Sequence, residues 1–504
     1  MKNSFFKNIA IITITSLILR VLGMVFRIWL SREIGSEGMG LLQLVLSFYV
    51  LICTFGTTGI CTATSRLVAE NEGNGKVVSK VMKRSMQIIL IISAVTIILV
   101  YNFSSFIAKN IICDARAEEG LKMLLIGLPF LALSSGIRGY FLGKRKASIP
   151  SIAQIIEQII RIAATFFLID KALPFGLSAT CSAIILGGAL GEFAEFIFCF
   201  ICLIINKEKP IGQSKAITKE FLRISIPIMS GRYIHTALRT LENMLVPITI
   251  SIFTKDKSLA LSQFGNIKGM AIPLLFFPAS FLAAFSTMMI PEISSYKSRG
   301  YDLRVKTATE KSIGITIIVS VLIGGIFFTL GKDISVLLYG SGDTGVLLVS
   351  LAPLVPLMYL ESVCDGILKG LDQQKHSFIY GIIDSVTRLL LIYLLCPKYG
   401  IKGFLLIMIY SNMLTSLLNL RRLLKVAKIN IKIKSWILKP LFSIIISAFI
   451  GVAVARNIGV LPIKILVCVS IISAVYIIIL AFFGRNKNRR WYTKKISGIK
   501  YSSI

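Results

Sequence analysis

Apolar stretches long enough to cross a lipid bilayer recur along the whole of this 504-residue chain. Each crossing by a helix needs about 20 mostly apolar residues. Hydrophobic residues make up 55% of the sequence and charged residues only 16%, whereas roughly a quarter of the residues of a soluble domain are charged. No polar region is large enough to form a separate soluble domain, so we predict an all-α polytopic membrane protein.

The apolar stretches predict about fourteen transmembrane helices. They cover approximately residues 9–31, 41–61, 86–108, 121–142, 150–170, 178–205, 221–252, 269–291, 312–331, 345–368, 377–396, 403–420, 440–458 and 462–483. The first stretch follows Lys2 and Lys7, as in a signal peptide, but it lacks a cleavage site of small residues and is interpreted as a retained span. An even number of spans places both termini on the same side.

The basic residues predict which side that is. The formal charge is +32, and loops on the side of the N-terminus hold about three times as many Lys and Arg residues as the other loops, which makes them cytoplasmic. We therefore expect a multi-pass protein of the cell membrane with both termini in the cytoplasm. Its basic tail, around Arg489 and Lys494, would face anionic lipids of the inner leaflet. This distribution explains the charge without a nucleic-acid partner.

The second half of the chain repeats features of the first. Matched pairs at one constant spacing include Pro129 with Pro356, Gly139 with Gly366, Glu157 with Asp384, and Arg161 with Arg388. The repeat advances by six spans, so the copies share one orientation and predict two six-helix lobes related by a parallel pseudo-two-fold axis. We expect an N-terminal lobe at 1–206, a C-terminal lobe at 207–432, an extra helix pair at 433–483 and a basic cytoplasmic tail at 484–504.

Several charged residues lie inside predicted spans, where a charge at the bilayer centre costs about 2.5–3.5 kcal/mol unless it faces a partner or a cavity. Arg20 and Arg27 lie on one face of span one. A single polar stripe along span seven contains Arg232, His235, Arg239 and Glu242. Because guanidinium groups bind phosphate through paired hydrogen bonds, the four arginines predict a cationic cavity for an anionic substrate.

The other intramembrane charges have two interpretations. Glu157 with Arg161, and Asp384 with Arg388, are four residues apart and are expected to form structural ion pairs. A second set is predicted to serve ion coupling or gating, with pairing across helices left open as the alternative: His235, Glu242, Glu192, Glu361 and Asp365. The coupling ion would be a proton or sodium.

The sequence contains no pattern typical of a metal site, a catalytic triad, a nucleotide-binding loop or a dinucleotide fingerprint. We therefore expect no enzymatic activity, no catalytic residue, no metal and no cofactor. Transport driven by a gradient, and not by hydrolysis within this chain, is the corresponding expectation.

Four stretches resemble the multidrug/oligosaccharidyl-lipid/polysaccharide (MOP) exporter superfamily, in its branch of stage V sporulation protein B and lipid II flippases. They are SLILRVLGMVFRIWLSREIGSEGMGLLQL, TATSRLVAE, FGNIKGMAIPLLFFPASFLAAFSTMMIPEIS and ILKGLDQQK. The resemblance implies a central cavity lined by spans one, two, seven and eight, alternating access, and a groove for a lipid tail at the last helix pair. It also implies substrate binding by Arg20, Arg27 and Lys268, the last of which lies five residues before Pro273.

The leading hypothesis is a flippase for an undecaprenyl-pyrophosphate-linked glycan, such as the peptidoglycan precursor lipid II. Its expected partners are that substrate, membrane lipids, a coupling ion and enzymes of cell-wall synthesis. The resembling flippases have an arginine in span two, and LVLSFYVLICTFG has none, so substrate identity stays open. The alternatives are a cation-coupled multidrug antiporter, an exporter of another lipid-linked polysaccharide unit, and a scaffold that recruits cell-wall enzymes.

Overall fold

The computed structural model describes residues 2–206 and 217–497, which are almost entirely helical and contain no strand. The α-helices, in chain order, are α1 Lys2–Glu70, α2 Gly75–Phe106, α3 Ala117–Gly143, α4 Ser148–Ala172, α5 Leu177–Ile205, α6 Thr218–Thr254, α7 Lys257–Phe264, α8 Ile272–Phe276, α9 Ala279–Ser298, α10 Asp302–Tyr339, α11 Asp343–Leu351, α12 Val355–Gly370, α13 Gln374–Ala427, α14 Lys439–Ala455 and α15 Leu461–Ser497. Short π-helical or 3-10 segments join several of them. The predicted all-α class is confirmed.

Two of these helices each contain two predicted spans. In α1 the helix changes direction at Gly35, whose φ is +66°, and in α13 it does so at Gly400, whose φ is +56°. Glycine adopts positive φ without the steric cost of a Cβ atom. A single glycine therefore replaces each loop that the charge pattern predicts, and the helical hydrogen bonding resumes directly after the bend.

Span eight is broken, whereas the sequence predicts one helix over 269–291. Here α7 leads into a π-helical segment, Gly265–Ala271, followed by α8 and then α9. Pro273 lies in the first turn of α8, and Pro278 directly precedes α9. Proline lacks the N–H that would continue the helix, which explains why the chain crosses this region in pieces.

The helices cross a membrane many times. Ten described stretches are long and apolar enough to do so, and two of them, Ala10–Glu70 and Gln374–Ala427, have 61 and 54 residues. At about 1.5 Å per residue each is long enough for two crossings of a bilayer core roughly 30 Å thick. These ten stretches therefore account for twelve crossings. The charged α6 and the broken α7–α9 region supply two more, which gives the fourteen segments that the sequence predicts. The side on which the termini lie stays a prediction.

The chain divides into two compact units. The first comprises the residues up to Met270 together with Ser385–Ile407, and the second comprises Ala271–Asp384 together with the residues from Met408 onward. The predicted lobes at 1–206 and 207–432 remain a prediction. Within the first unit, however, α1 packs directly against α6 and α7, so spans assigned to different lobes are in contact in this structure.

Each unit has its own apolar core. In the first, Leu67, Phe141 and Phe221 belong to one buried cluster built from α1 to α6. In the second, Tyr476 and Ile472 of α15 pack with α10 and α14. The predicted extra helix pair is thus joined to α10. Of the predicted tail at 484–504, the last seven residues lie outside the described part of the chain.

Candidate functional site

A cavity of about 310 Å³ lies inside the first unit, among α1, α3, α4 and α5. Apolar side chains such as Phe26, Leu30 and Ile184 form much of its wall. Its polar lining consists of Arg27, Gln43, Tyr49, Gln158, Arg161 and Glu192. Ligand pockets span roughly 300–1,000 Å³, so this cavity admits a small group but not a whole lipid-linked glycan.

Small residues bring the walls of the cavity together. A Cβ atom on Gly187 would lie 2.3 Å from Oγ1 of Thr165, and one on Gly191 would lie 2.7 Å from the carbonyl oxygen of Glu157. These two glycines allow α5 to approach α4 closely, as small residues four apart do in membrane helix pairs. The next residue, Glu192, is thereby held at the cavity.

Glu192 is a buried carboxylate at this cavity. Its residue exposure is 4%, and Oε1 accepts a hydrogen bond of 2.6 Å from the hydroxyl of Tyr49. Within the described part of the chain, its other oxygen, Oε2, accepts no hydrogen bond. A buried carboxyl group with unused acceptor capacity can bind a proton or a cation. This property agrees with the predicted coupling role of Glu192, which stays a prediction.

The opposite charge at this cavity comes from α4. Arg161 forms an ion pair with Glu157, one turn earlier on the same helix, and also lines the cavity. Arg27 of α1 also lines the cavity and donates a long hydrogen bond of 3.4 Å to the carbonyl oxygen of Gly269. The cavity thus presents two guanidinium groups and one carboxylate.

Because Gly127 has no side chain, the carboxylate of Glu192 can lie directly against its backbone. A Cβ atom there would lie 2.2 Å from Oε2 of Glu192 and 3.1 Å from Ala189. We expect Gly127→Ala to displace this carboxylate from Tyr49 and to lower stability by about 1–3 kcal/mol, as overpacking does. The measurement is thermal unfolding of the purified protein in detergent.

Gly23→Ala is the matched control, because Gly23 lines the same cavity and has no heavy atom within 4 Å of the added Cβ. In a helix this change is expected to be neutral or stabilising. Equal melting temperatures for the two variants would contradict the packing argument.

A buried ion pair that the sequence analysis did not identify joins α3 to α5. Nη1 of Arg138 lies 2.9 Å from Oε1 of Glu195, whose side chain is 0% exposed. The available sign of this pair was an arginine in predicted span four and an acid in span six, neither with a partner nearby in sequence. Spacing along a single helix gave no reason to pair them.

A second cluster in the first unit contains one carboxylate and two cations. Oε1 of Glu242 on α6 accepts a 2.9 Å hydrogen bond from Lys268 and another from Arg388 of α13. Only 5% of the Glu242 side chain is exposed, against 17% for Lys268 and 20% for Arg388. The Lys268 ammonium also lies 5.7 Å from the centre of the Phe404 ring.

Close packing against α1 positions the π-helical segment that contains Lys268. A Cβ atom on Gly265 would lie 1.9 Å from the carbonyl oxygen of Ser36, and one on Gly40 would lie 2.3 Å from that of Leu261. The hydroxyls of Ser36 and Ser262 share a hydrogen bond of 2.5 Å. The bend of α1 is therefore fastened to α7 and to the segment after it.

The predicted substrate-binding residues fall into three environments. Arg20, Arg232 and Arg239 have exposed side chains and are not among the residues that line the cavity described above. Arg27 lies at that cavity, and Lys268 is buried in the cluster with Glu242. No contact among the described residues joins all five predicted ligands, so their common role stays a prediction.

The remaining predicted residues are distributed over both units. In the second unit Asp365 forms an ion pair of 2.6 Å with Lys369, and Asp384 accepts a hydrogen bond of 2.6 Å from Ser411. Glu361 and, in the first unit, His235 are half-buried. Among the described residues no group of three His, Cys, Asp or Glu side chains is placed to hold a metal ion.

Comparison with known proteins gives a consistent set of relatives. Residues 5–289 match the family described as polysaccharide biosynthesis protein. Stage V sporulation protein B of Bacillus subtilis (strain 168) is 26% identical over 470 residues, which cover 91% of this chain and 90% of that protein. The lipid II flippase MurJ of the same organism is 24% identical, over 78% of this chain and 77% of its own length.

Solved structures show the same fold. The lipid II flippase MurJ in an inward closed conformation superposes with a TM-score of 0.72 at 20% identity and covers 94% of this chain and 98% of its own. An inward-facing MATE family multidrug resistance transporter of the MOP superfamily gives a TM-score of 0.67 at 16% identity, with 82% and 99% covered. At these identities the likeness establishes the fold.

Proposed function

We propose that this chain, which belongs to the polysaccharide biosynthesis protein family and to the MOP superfamily, is a flippase. Its cargo would be a lipid-linked glycan with an anionic phosphate linkage. The proposed cargo is an undecaprenyl-pyrophosphate-linked peptidoglycan precursor of the lipid II type. Alternating access would expose the binding groups first to the cytoplasm and then to the outside.

The charge of two neighbouring helices supports this proposal most. Within residues 10–30 of α1 and 225–250 of α6 there are four arginines and one acid, Glu242, and α1 packs on α6. Retaining so many cations at membrane depth is costly unless they bind an anion or face water. A pyrophosphate linkage offers several oxygens for paired guanidinium contacts.

The names of the relatives agree with this choice of cargo. A curated relative and a solved structure are both described as lipid II flippases, and the family description refers to polysaccharide synthesis. We also propose that both termini lie in the cytoplasm. Transport would be coupled to a proton or sodium ion that binds at Glu192. Enzymes of cell-wall synthesis remain proposed partners.

The direct test is flipping of labelled lipid II by the purified protein in liposomes. We expect Arg20→Gln and Arg232→Gln each to reduce the flipping rate by about tenfold or more, because each removes charge-assisted hydrogen bonds to phosphate. Arg456→Gln is the control, since Arg456 is exposed at the end of α14 in the other unit. Rates that do not differ among the three variants would reject the cationic assignment.

A cation-coupled multidrug antiporter is the second candidate function. The observation in its favour is the buried carboxylate of Glu192 beside Phe26 and Tyr49 at the cavity of the first unit. Arg27 and Arg161 on the same walls disfavour a cationic drug there. Expression in a pump-deficient host separates the two functions, because only the antiporter would raise resistance to cationic drugs.

A further inference from the structure

The cavity of the first unit contains two buried polar atoms without a partner. Within the described part of the chain, neither Oε2 of Glu192 nor Nε of Arg161 makes a hydrogen bond, although both residues line the cavity. The first atom is an acceptor and the second is a donor. Because unpaired buried polar groups cost free energy, these two atoms indicate a ligand that both donates and accepts hydrogen bonds.

Two side-chain amides add to this hydrogen-bonding capacity. Gln43 of α1 and Gln158 of α4 line the cavity, and each amide has two donor hydrogens and an acceptor oxygen. Gln158 precedes Arg161 by three residues, so the two side chains are neighbours on the surface of α4. With Glu192 on α5, the polar lining therefore comes from three helices.

The remaining wall is apolar and includes aromatic rings. Phe26 stacks on Trp29 with the ring centroids 5.9 Å apart, and the ring of Tyr49 is held by its hydrogen bond to Glu192. The apolar face of a sugar ring can pack against such rings, while its hydroxyls donate and accept hydrogen bonds. The volume of about 310 Å³ is at the lower end of the range for small-molecule pockets, which suits a single sugar ring.

Both signs of charge line this cavity. Arg27 and Arg161 contribute guanidinium groups, and Glu192 contributes a carboxylate. A ligand with a single charge would lie close to a group of the same sign, which is unfavourable at low dielectric constant. A neutral hydroxyl donates to the carboxylate and accepts from a guanidinium, and both of these hydrogen bonds are charge-assisted.

From this lining we propose that the cavity binds one sugar ring of the lipid-linked glycan. The proposal rests on the proposed function and extends it, because it assigns the sugar and the phosphate linkage to different residues. Arg27 lines the cavity and follows Arg20 by seven residues, about 10.5 Å along α1. In a pyrophosphate-linked lipid the first sugar is bonded directly to phosphate, so a sugar in the cavity would bring that phosphate to Arg27.

Gly188→Met tests the space that the sugar would occupy. Gly188 lines the cavity, and a Cβ atom there would lie 3.8 Å from Nε of Arg161, an ordinary contact. The methionine side chain would therefore fill the cavity without forcing helices apart. We expect the full-length variant in nanodiscs to bind lipid II about tenfold more weakly, a change of about 1.4 kcal/mol. Its affinity for undecaprenyl pyrophosphate, which has no sugar, should not change.

Gln158→Leu tests the hydrogen bonds. It keeps a side chain of similar size and removes the amide, so lipid II should bind about fivefold more weakly, again without an effect on undecaprenyl pyrophosphate. Gln154→Leu is the matched control, because Gln154 is half-buried one turn earlier on α4 and is not among the residues that line the cavity. Glu192 is left unchanged, since it is also the proposed site of the coupling ion. Thermal unfolding of each variant checks that the fold is kept.

The sugar site and the proposed cargo can fail separately. A loss of equal size for both lipids in Gly188→Met, or no loss for either, would overturn the sugar site. Lipid II binding that is lost in Arg20→Gln but unaffected by Gly188→Met would support the cargo and reject the sugar site.

Free N-acetylglucosamine tests the sugar site without the lipid. If wild type binds neither lipid, the proposed function fails, but calorimetric titration should still give a heat of binding for this sugar that disappears in Gly188→Met. A heat of binding for alanine and none for the sugar would identify a site for a zwitterion and overturn the proposal. No heat for either compound, with no binding of either lipid, would reject both levels.

Discussion

Oxidation of a double variant, Ser36→Cys with Ser262→Cys, is expected to stop transport, and reduction is expected to restore it. The two hydroxyl oxygens are 2.5 Å apart, so the replacing sulfur atoms would lie within reach of a bond of about 2.05 Å. This contact fastens the bend of α1 to α7. If cargo passes between span one and span eight, that contact must open once in every cycle.

The size of the effect follows from the covalent bond. A disulfide cannot open thermally on the timescale of transport, so flipping should fall to background after oxidation and return with a reductant. Each single cysteine variant is the control, because the chain already has nine cysteines and an unintended pairing would appear there. Full transport by the cross-linked protein would show that α1 and α7 stay together throughout the cycle.

The crossings were predictable from sequence because the bilayer imposes their length and composition. Helices α5, α10 and α15 contain the apolar runs that predict them, and the ends differ by at most one residue in α5 and by up to 14 residues in α15. The local sequence was less informative about the positions at which a helix bends. Gly35 and Gly400 do not look different in sequence from glycines within straight helices, and only their positive φ identifies them as bends.

Proline was an incomplete guide to the broken span. Pro273 and Pro278 lie at the starts of α8 and α9, but the π-helical segment begins earlier, at Gly265. Its position depends on the contacts of Gly265 with Ser36 and of Gly40 with Leu261. These contacts join residues more than 200 positions apart, and hydrophobic periodicity contains no information about such pairs.

The candidate site was predictable as a set of residues but not as a set of partners. Intramembrane charge identified Glu192, Glu242 and Arg388 individually, because each is costly in lipid, whereas Lys268 was indicated only by the family resemblance. Spacing along one helix correctly indicated a contact between Glu157 and Arg161. The contact of Arg388 with Glu242 crosses from α13 to α6, and one sequence read alone contains no direct information about contacts between helices.

The largest effect on stability is expected at Arg138. In Arg138→Ala the buried carboxylate of Glu195 loses the guanidinium 2.9 Å away, and breaking a buried ion pair in this way costs about 3–5 kcal/mol. We expect a large drop in melting temperature in detergent and little folded protein in the membrane. Neutralising both residues, as Arg138→Met with Glu195→Gln, should recover most of the loss because no buried charge is left uncompensated.

Arg66→Ala provides the comparison, because Arg66 pairs with Glu70 through side chains that are 63% and 44% exposed. Water solvates both groups of that pair in the variant, so its melting temperature should hardly change. The difference between the two sites measures what burial adds to a single ion pair. If Arg138→Ala melts like Arg66→Ala, then water must reach Glu195 between α3 and α5, and the first unit is more hydrated at this depth than its packing indicates.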